Sequence, residues 1–170
     1  MGPVSPDKPS QTAIPAAIRL LPANASALLV EFQSADEKSV GENAAKAKAA
    51  VATLKLLFKA EFSSDPEEHD RLWSIRKGLF PSVGAVRAKG TTVIIEDVAF
   101  PIEYLADAAE DLTALFAKHG YPNAIIFGHA KDGNLHFVIS QGFNTEGERQ
   151  QYRKFIDDVV QLVVHKSYVT

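Results

Sequence analysis

The stretch FGHAKDGNLHF at positions 127–137 places two histidines seven residues apart around an Asp-Gly pair. Asp-Gly is a strong short-range hairpin signal, because a type I′ turn needs positive φ at both central positions, which Asp tolerates and Gly accepts freely. With Asp132 and Gly133 as the two loop residues, Lys131 faces Asn134, Ala130 faces Leu135, and His129 faces His136. Opposed Cβ atoms in an antiparallel ladder lie roughly 4.5–5.5 Å apart, so both rings reach one shared ion or small anion. The two-residue period puts Ile125, Phe127 and Val138 on the same face, at whose mouth the imidazoles sit. Asn134, at the turn edge, adds a donor and an acceptor.

Working outward from the hairpin, strands are expected at 124–130 and 134–141, with a final helix starting near Glu146. TTVIIEDVAFP at 91–101 reads as a strand. The segment 102–120 repeats apolar residues at Leu105, Ala108, Ala109, Leu112, Leu115 and Phe116 and closes on Lys118, His119 and Gly120, the pattern of an amphipathic helix with a glycine stop. Upstream, SALLVEFQS at 26–34 and KLLFKAEFS at 55–63 read as strands around an Ala-rich helix at 36–54. Ser64-Asp65-Pro66-Glu67 then opens a helix that Gly78 and Pro81 end, leaving 81–90 as a loop. Residues 1–24 hold five of the nine prolines and form an irregular lead-in, with at most a short helical turn around Ala16–Leu21. A hairpin where crossovers would otherwise stand favours an α+β fold, an antiparallel sheet covered by helices on one face.

Composition bounds the chemistry. A length of 170 residues with 46% hydrophobic content suits one compact unit with a proper core, here 25–170 after the lead-in. A net charge of −3 with mixed signs argues against a nucleic-acid or anionic-membrane surface. No apolar run is long enough to span a bilayer and no leader pattern opens the chain, so a cytoplasmic location is expected. Zero cysteines exclude disulfides and thiolate chemistry, leaving His and carboxylate ligands for any metal. No glycine pattern matches a dinucleotide fingerprint or a phosphate loop.

Two further sets of residues are candidates. In WSIRKG, Trp73 packs with Leu72, Ile75 and Leu79 in an ordinary amphipathic helix, but the planar fork of Arg76 also suits a carboxylate, with Arg87 a rival for that role. Glu96 and Asp97 are adjacent in a strand and point to opposite faces, so they form no carboxylate pair, though one of them can face the histidines.

LWSIRKGLFPSVGAVR, GTTVIIEDVAFP and GHAKDGNLHF, in that order along the chain, resemble the C-terminal, substrate-side domain of FAD-linked oxidases of the vanillyl-alcohol oxidase type. That group contains D-lactate dehydrogenases, D-2-hydroxyglutarate dehydrogenases and the glycolate oxidase D subunit. The resemblance covers roughly positions 20–170 and is nearest the branch fused to an iron–sulfur region. It implies a ferredoxin-like antiparallel sheet that caps FAD bound mainly by a separate domain of the same polypeptide, and a parent that oxidises a D-2-hydroxy acid such as D-lactate, D-2-hydroxyglutarate or glycolate. It implies that His129 and His136 are catalytic ligands of a divalent metal such as zinc or manganese, that Asn134 touches substrate or the metal shell, and that Arg76 clamps the substrate carboxylate. An iron–sulfur cluster elsewhere in the parent and its peripheral membrane association are also compatible with that branch.

Two positions depart from the pattern: Lys131 stands where the family usually has glycine, and Lys77 replaces the acidic residue that commonly follows Arg76. The remaining ligand and the base belong to a Glu-His-Gly segment expected after Thr170, so the chain is expected to be inactive alone and to hold metal weakly or not at all. The alternative is a non-catalytic binding or assembly module retaining the same fold. A self-sufficient metal hydrolase would need Glu96 or Asp97 as its third ligand.

Overall fold

The computed structural model describes residue 22 and residues 25–167. The expected lead-in therefore falls, but for Pro22, outside the described residues. The chain divides into two compact units, Met1–Lys77 and Gly78–Thr170, where length alone suggests one.

In the first unit helix α1, Glu37–Val51, is opened by Asp36, whose carboxylate accepts hydrogen bonds from the backbone N–H groups of Lys38 and Ser39. These bonds satisfy two amide donors that the first turn would otherwise leave open. The strands expected at 26–34 and 55–63 do not form, and neither segment makes a backbone ladder. The rings of Phe32 and Phe62 stack with centroids 5.9 Å apart, yet Leu28, Leu29, Leu56, Leu57 and Phe58 stay exposed. An apolar run shows that a segment gains by burial, but a strand persists only where a sheet and a covering layer receive it.

Helix α2, Pro66–Val86, starts as expected, with Asp65 accepting from the N–H of Glu67 at 3.1 Å. It does not stop at Gly78 and Pro81 as the sequence suggests, and so absorbs much of the expected loop. Pro81 has no N–H to give the carbonyl of Lys77, and the division between the two units falls after that residue. The helix continues because its last turns have a place to pack: Val83 is buried, and a Cβ at Gly84 would lie 3.8 Å from the Val93 side chain.

The second unit carries the sheet. Strand β1, Thr91–Ala99, is followed by a 3₁₀ turn at Ile102–Tyr104 and helix α3, Leu105–His119; then come β2, Ile125–His129, β3, Asn134–Gly142, and α4, Glu146–Ser167. Helix α3 ends at Gly120 with φ 76°, as its glycine stop requires. The three strands are antiparallel in the order β1-β3-β2, so β3 is central. This is an α+β arrangement with a ferredoxin-like βαββα chain path.

Strand parity decides what lies on each face. Ile94 and Val98 of β1, Ile126 of β2, and Leu135, Phe137 and Ile139 of β3 pack against Leu112, Phe116, Phe155 and Val159 of the two helices. Phe137, Phe155, Leu112 and Ile139 are fully buried, each contributing roughly 1.5–3 kcal/mol by leaving water. Gln141, the buried polar residue of this face, is matched on both ends. Its oxygen accepts from the Tyr121 hydroxyl at 2.5 Å, and its nitrogen donates to the carbonyl of Glu148 at 3.0 Å. Asp158 ties α4 to α3 by accepting from Lys118 and contacting His119, each at 2.7 Å. The opposite face carries the histidines.

Candidate functional site

The hairpin holding the histidines is longer than a two-residue turn. His129 pairs with Asn134 and Phe127 with His136, so the register is displaced by two residues from the expected one and His129 does not directly oppose His136. Residues Ala130–Asp132 form a 3₁₀ turn, and only Gly133, at φ 65°, takes positive φ. A type I′ turn would require the same of Asp132. Gly133 is also fixed from outside: Phe100 donates its N–H to the Gly133 carbonyl at 2.9 Å, and a Cβ at position 133 would overlap the Phe100 carbonyl. The turn thus answers to the end of β1 as well as to its own sequence.

A slip of two keeps every side chain on its face, whereas a slip of one would reverse them all. The imidazoles therefore still meet, as diagonal neighbours, with ring centroids 5.4 Å apart and planes at 88°. Phe127 takes the direct place beside His136, centroids 5.5 Å apart. Gly128, between the two, lets the strands approach closely, since a Cβ there would overlap the backbone of Asn134.

On the other side of His136 stands Asp97, its direct partner across the β1–β3 ladder. Asp97 Oδ1 lies 3.4 Å from His136 Nδ1 and also accepts a short hydrogen bond from Asn134 Nδ2. Asn134 Nδ2 lies 3.5 Å from the carbonyl of Val98 as well. The other amide atom, Asn134 Oδ1, is buried with no hydrogen-bond partner. Glu96 points the opposite way, where its carboxylate accepts from the Tyr152 hydroxyl at 3.3 Å. Of the two adjacent acids Asp97 is thus the one on the histidine face. Its place there depends on the register of a strand some forty residues away, which no local signal contains.

The arginines are placed differently. Arg87 lies at the start of β1, where Nη1 donates to the carbonyl of Gly84 at 3.1 Å and Nε to that of Thr91 at 3.3 Å. Six residues of strand, roughly 20 Å, separate Thr91 from Asp97, so the structure does not bring Arg87 to the histidines. Arg76 is half-buried on α2 within the first unit, three residues beyond Trp73, whose indole N–H donates to Glu31 at 3.2 Å. Lys131 is exposed in the 3₁₀ turn. A groove of about 280 Å³ between β1 and α4, lined in part by Val98, Phe137, Ile156 and Val160, opens on the helix-bearing side. Asp97 borders it as well, but neither histidine lines it.

Chemically, the site offers two imidazoles, one half-buried and one exposed, and an amide oxygen that lacks a donor or cation. These atoms fit part of a coordination sphere. Among the described residues no group of three His, Cys, Asp or Glu side chains is arranged to hold a metal ion, so these residues present two imidazoles of a ligand set.

Comparison with known proteins agrees with this architecture. The family described as "FAD linked oxidases, C-terminal domain" matches residues 7–167, and the chain belongs to that family. A D-2-hydroxyglutarate dehydrogenase of Pantoea ananatis (strain AJ13355) is 24% identical over 140 residues, 79% of this chain. The match spans 14% of that relative's own length. Among the described residues no helix is long and apolar enough to cross a membrane.

Proposed function

We propose that the chain is the substrate-side cap of an FAD-dependent oxidoreductase that oxidises a D-2-hydroxy acid, and that it works only together with a flavin-binding domain of the same polypeptide. The observation that carries this reading is the convergence on one sheet face of His129, His136 and the unpartnered oxygen of Asn134. Family membership and the D-2-hydroxyglutarate dehydrogenase relative support the substrate class.

In this reading the two imidazoles hold a divalent ion jointly with a carboxylate from outside this chain. Such an ion, if bound, would lower the pKa of the substrate hydroxyl so that a base could remove its proton, and a flavin would supply the acceptor for the α-hydrogen as hydride. Asn134 Oδ1 would accept a hydrogen bond from the substrate hydroxyl. Arg76 takes the carboxylate clamp in this reading, the role its family resemblance implies, and Arg87 donates to two backbone carbonyls. An iron–sulfur region and peripheral membrane association of the parent belong to the same reading.

The test is to express the full-length protein, record its flavin spectrum, and follow bleaching on anaerobic addition of D-lactate, D-2-hydroxyglutarate and glycolate. Bleaching by one of the three, lost in His136→Ala, is the expected result. A flavin that none of them reduces would end the proposal.

A further inference from the structure

We propose that Asp97 is a positioning residue of the histidine site, holding one tautomer of His136 and one orientation of the Asn134 amide. Its carboxylate lies beside both groups. Asp97 is paired directly with His136 across the ladder, and the same oxygen, Oδ1, meets His136 Nδ1 at 3.4 Å and accepts from Asn134 Nδ2.

At that distance a carboxylate oxygen repels a nitrogen lone pair and attracts an N–H. The proton of neutral His136 therefore sits on Nδ1, and Nε2 keeps the free lone pair that a metal ion or a substrate hydroxyl needs. The amide of Asn134 is fixed by the same logic. Its nitrogen faces two acceptors, Asp97 Oδ1 and the carbonyl of Val98, and turning the amide over would set oxygen against oxygen at both. That leaves Oδ1 as the buried atom without a partner. One carboxylate thus prepares two neutral donor atoms for whatever enters the site.

The inference stands on this chain's own geometry; only its consequence for substrate oxidation rests on the function proposed above. It is tested without turnover, by long-range ¹H–¹⁵N correlation of the imidazoles in the full 170-residue chain labelled with ¹⁵N-histidine, at mildly alkaline pH. His136 is expected to show a protonated Nδ1 and an unprotonated Nε2. In Asp97→Ala the ratio of the two tautomers should shift severalfold toward Nε2–H, with His119 unchanged as an internal reference. Asp97→Asn, which keeps an acceptor oxygen but no charge, should give an intermediate ratio. A wild-type His136 protonated on Nε2 overturns the proposal, as does a ratio indifferent to Asp97→Ala in a folded variant. If the substitutions disrupt the β1–β3 ladder, the wild-type spectrum alone decides. Failure of flavin bleaching in the full-length protein leaves this result standing, and the reverse holds equally.

Discussion

The imidazole of His129 stands perpendicular to that of His136, with ring centroids 5.4 Å apart, although the two residues are not paired across the hairpin. They meet diagonally because both side chains share the face that β2 and β3 turn away from the helices, and ring-sized groups reach a diagonal neighbour where smaller ones would not.

Two imidazoles without a third anionic ligand should bind Zn²⁺ weakly. Titration of the 170-residue chain followed by calorimetry is expected to give one shallow site, weakened about tenfold or more in His136→Ala, in line with the penalties seen when metal sites lose supporting groups. Equal binding by both chains would remove the pair from the site.

Gly133 is the hinge of that geometry. Substitution by Ala forces a side chain into the left-handed region, at roughly 1–2 kcal/mol, and adds an overlap with the carbonyl of Phe100. Urea denaturation should show at least that loss, and the cross-peaks of His129 and His136 should move together. An Ala variant as stable as wild type would mean that the turn can be rebuilt at no cost.

Phe137 contacts Phe116 and Phe155 from the centre of β3, with ring centroids 5.6 Å away in both cases. Because it is fully buried, Phe137→Ala should cost about 3–5 kcal/mol, read from the urea midpoint at unchanged m-value.

Burial pushes the Tyr121 phenol up to about 12 from its ordinary 10.0, with a smaller contribution from Tyr152. The folded chain therefore holds this proton at a pH where the unfolded chain has released it. Stability from this residue is complete below pH 10 and is lost as pH rises toward 12. Alkaline titration of stability in Tyr121→Phe should be flatter across that window. An unchanged slope would place the high-pH sensitivity elsewhere.

Arg76→Ala in the full-length protein should raise KM for the preferred hydroxy acid about tenfold or more, the loss expected for a charge-assisted, two-pronged contact to a carboxylate, with kcat less affected. An unaltered KM returns Arg76 to the role of an ordinary helix residue.

The sequence by itself determined the elements whose signals are local. The period of Leu105, Ala108, Leu112 and Phe116 with its closing Gly120, the Asp65-Pro66 helix start, and the alternation that sends Phe137 and His136 to opposite faces all follow from neighbours a few residues apart. Parity is a property of one strand, so a hairpin register displaced by two residues leaves it unchanged. Tertiary structure decided whatever depended on a distant partner. Segments 26–34 and 55–63 have the composition of strands but no ladder to join, and α2 runs past Pro81 because Val83 finds a buried place. Within the hairpin turn only Gly133 takes positive φ, held by Phe100 just past the end of β1. Asp97 became the partner of His136 only when β1 settled against β3, since a register between remote strands is fixed by packing and backbone pairing that no short stretch encodes.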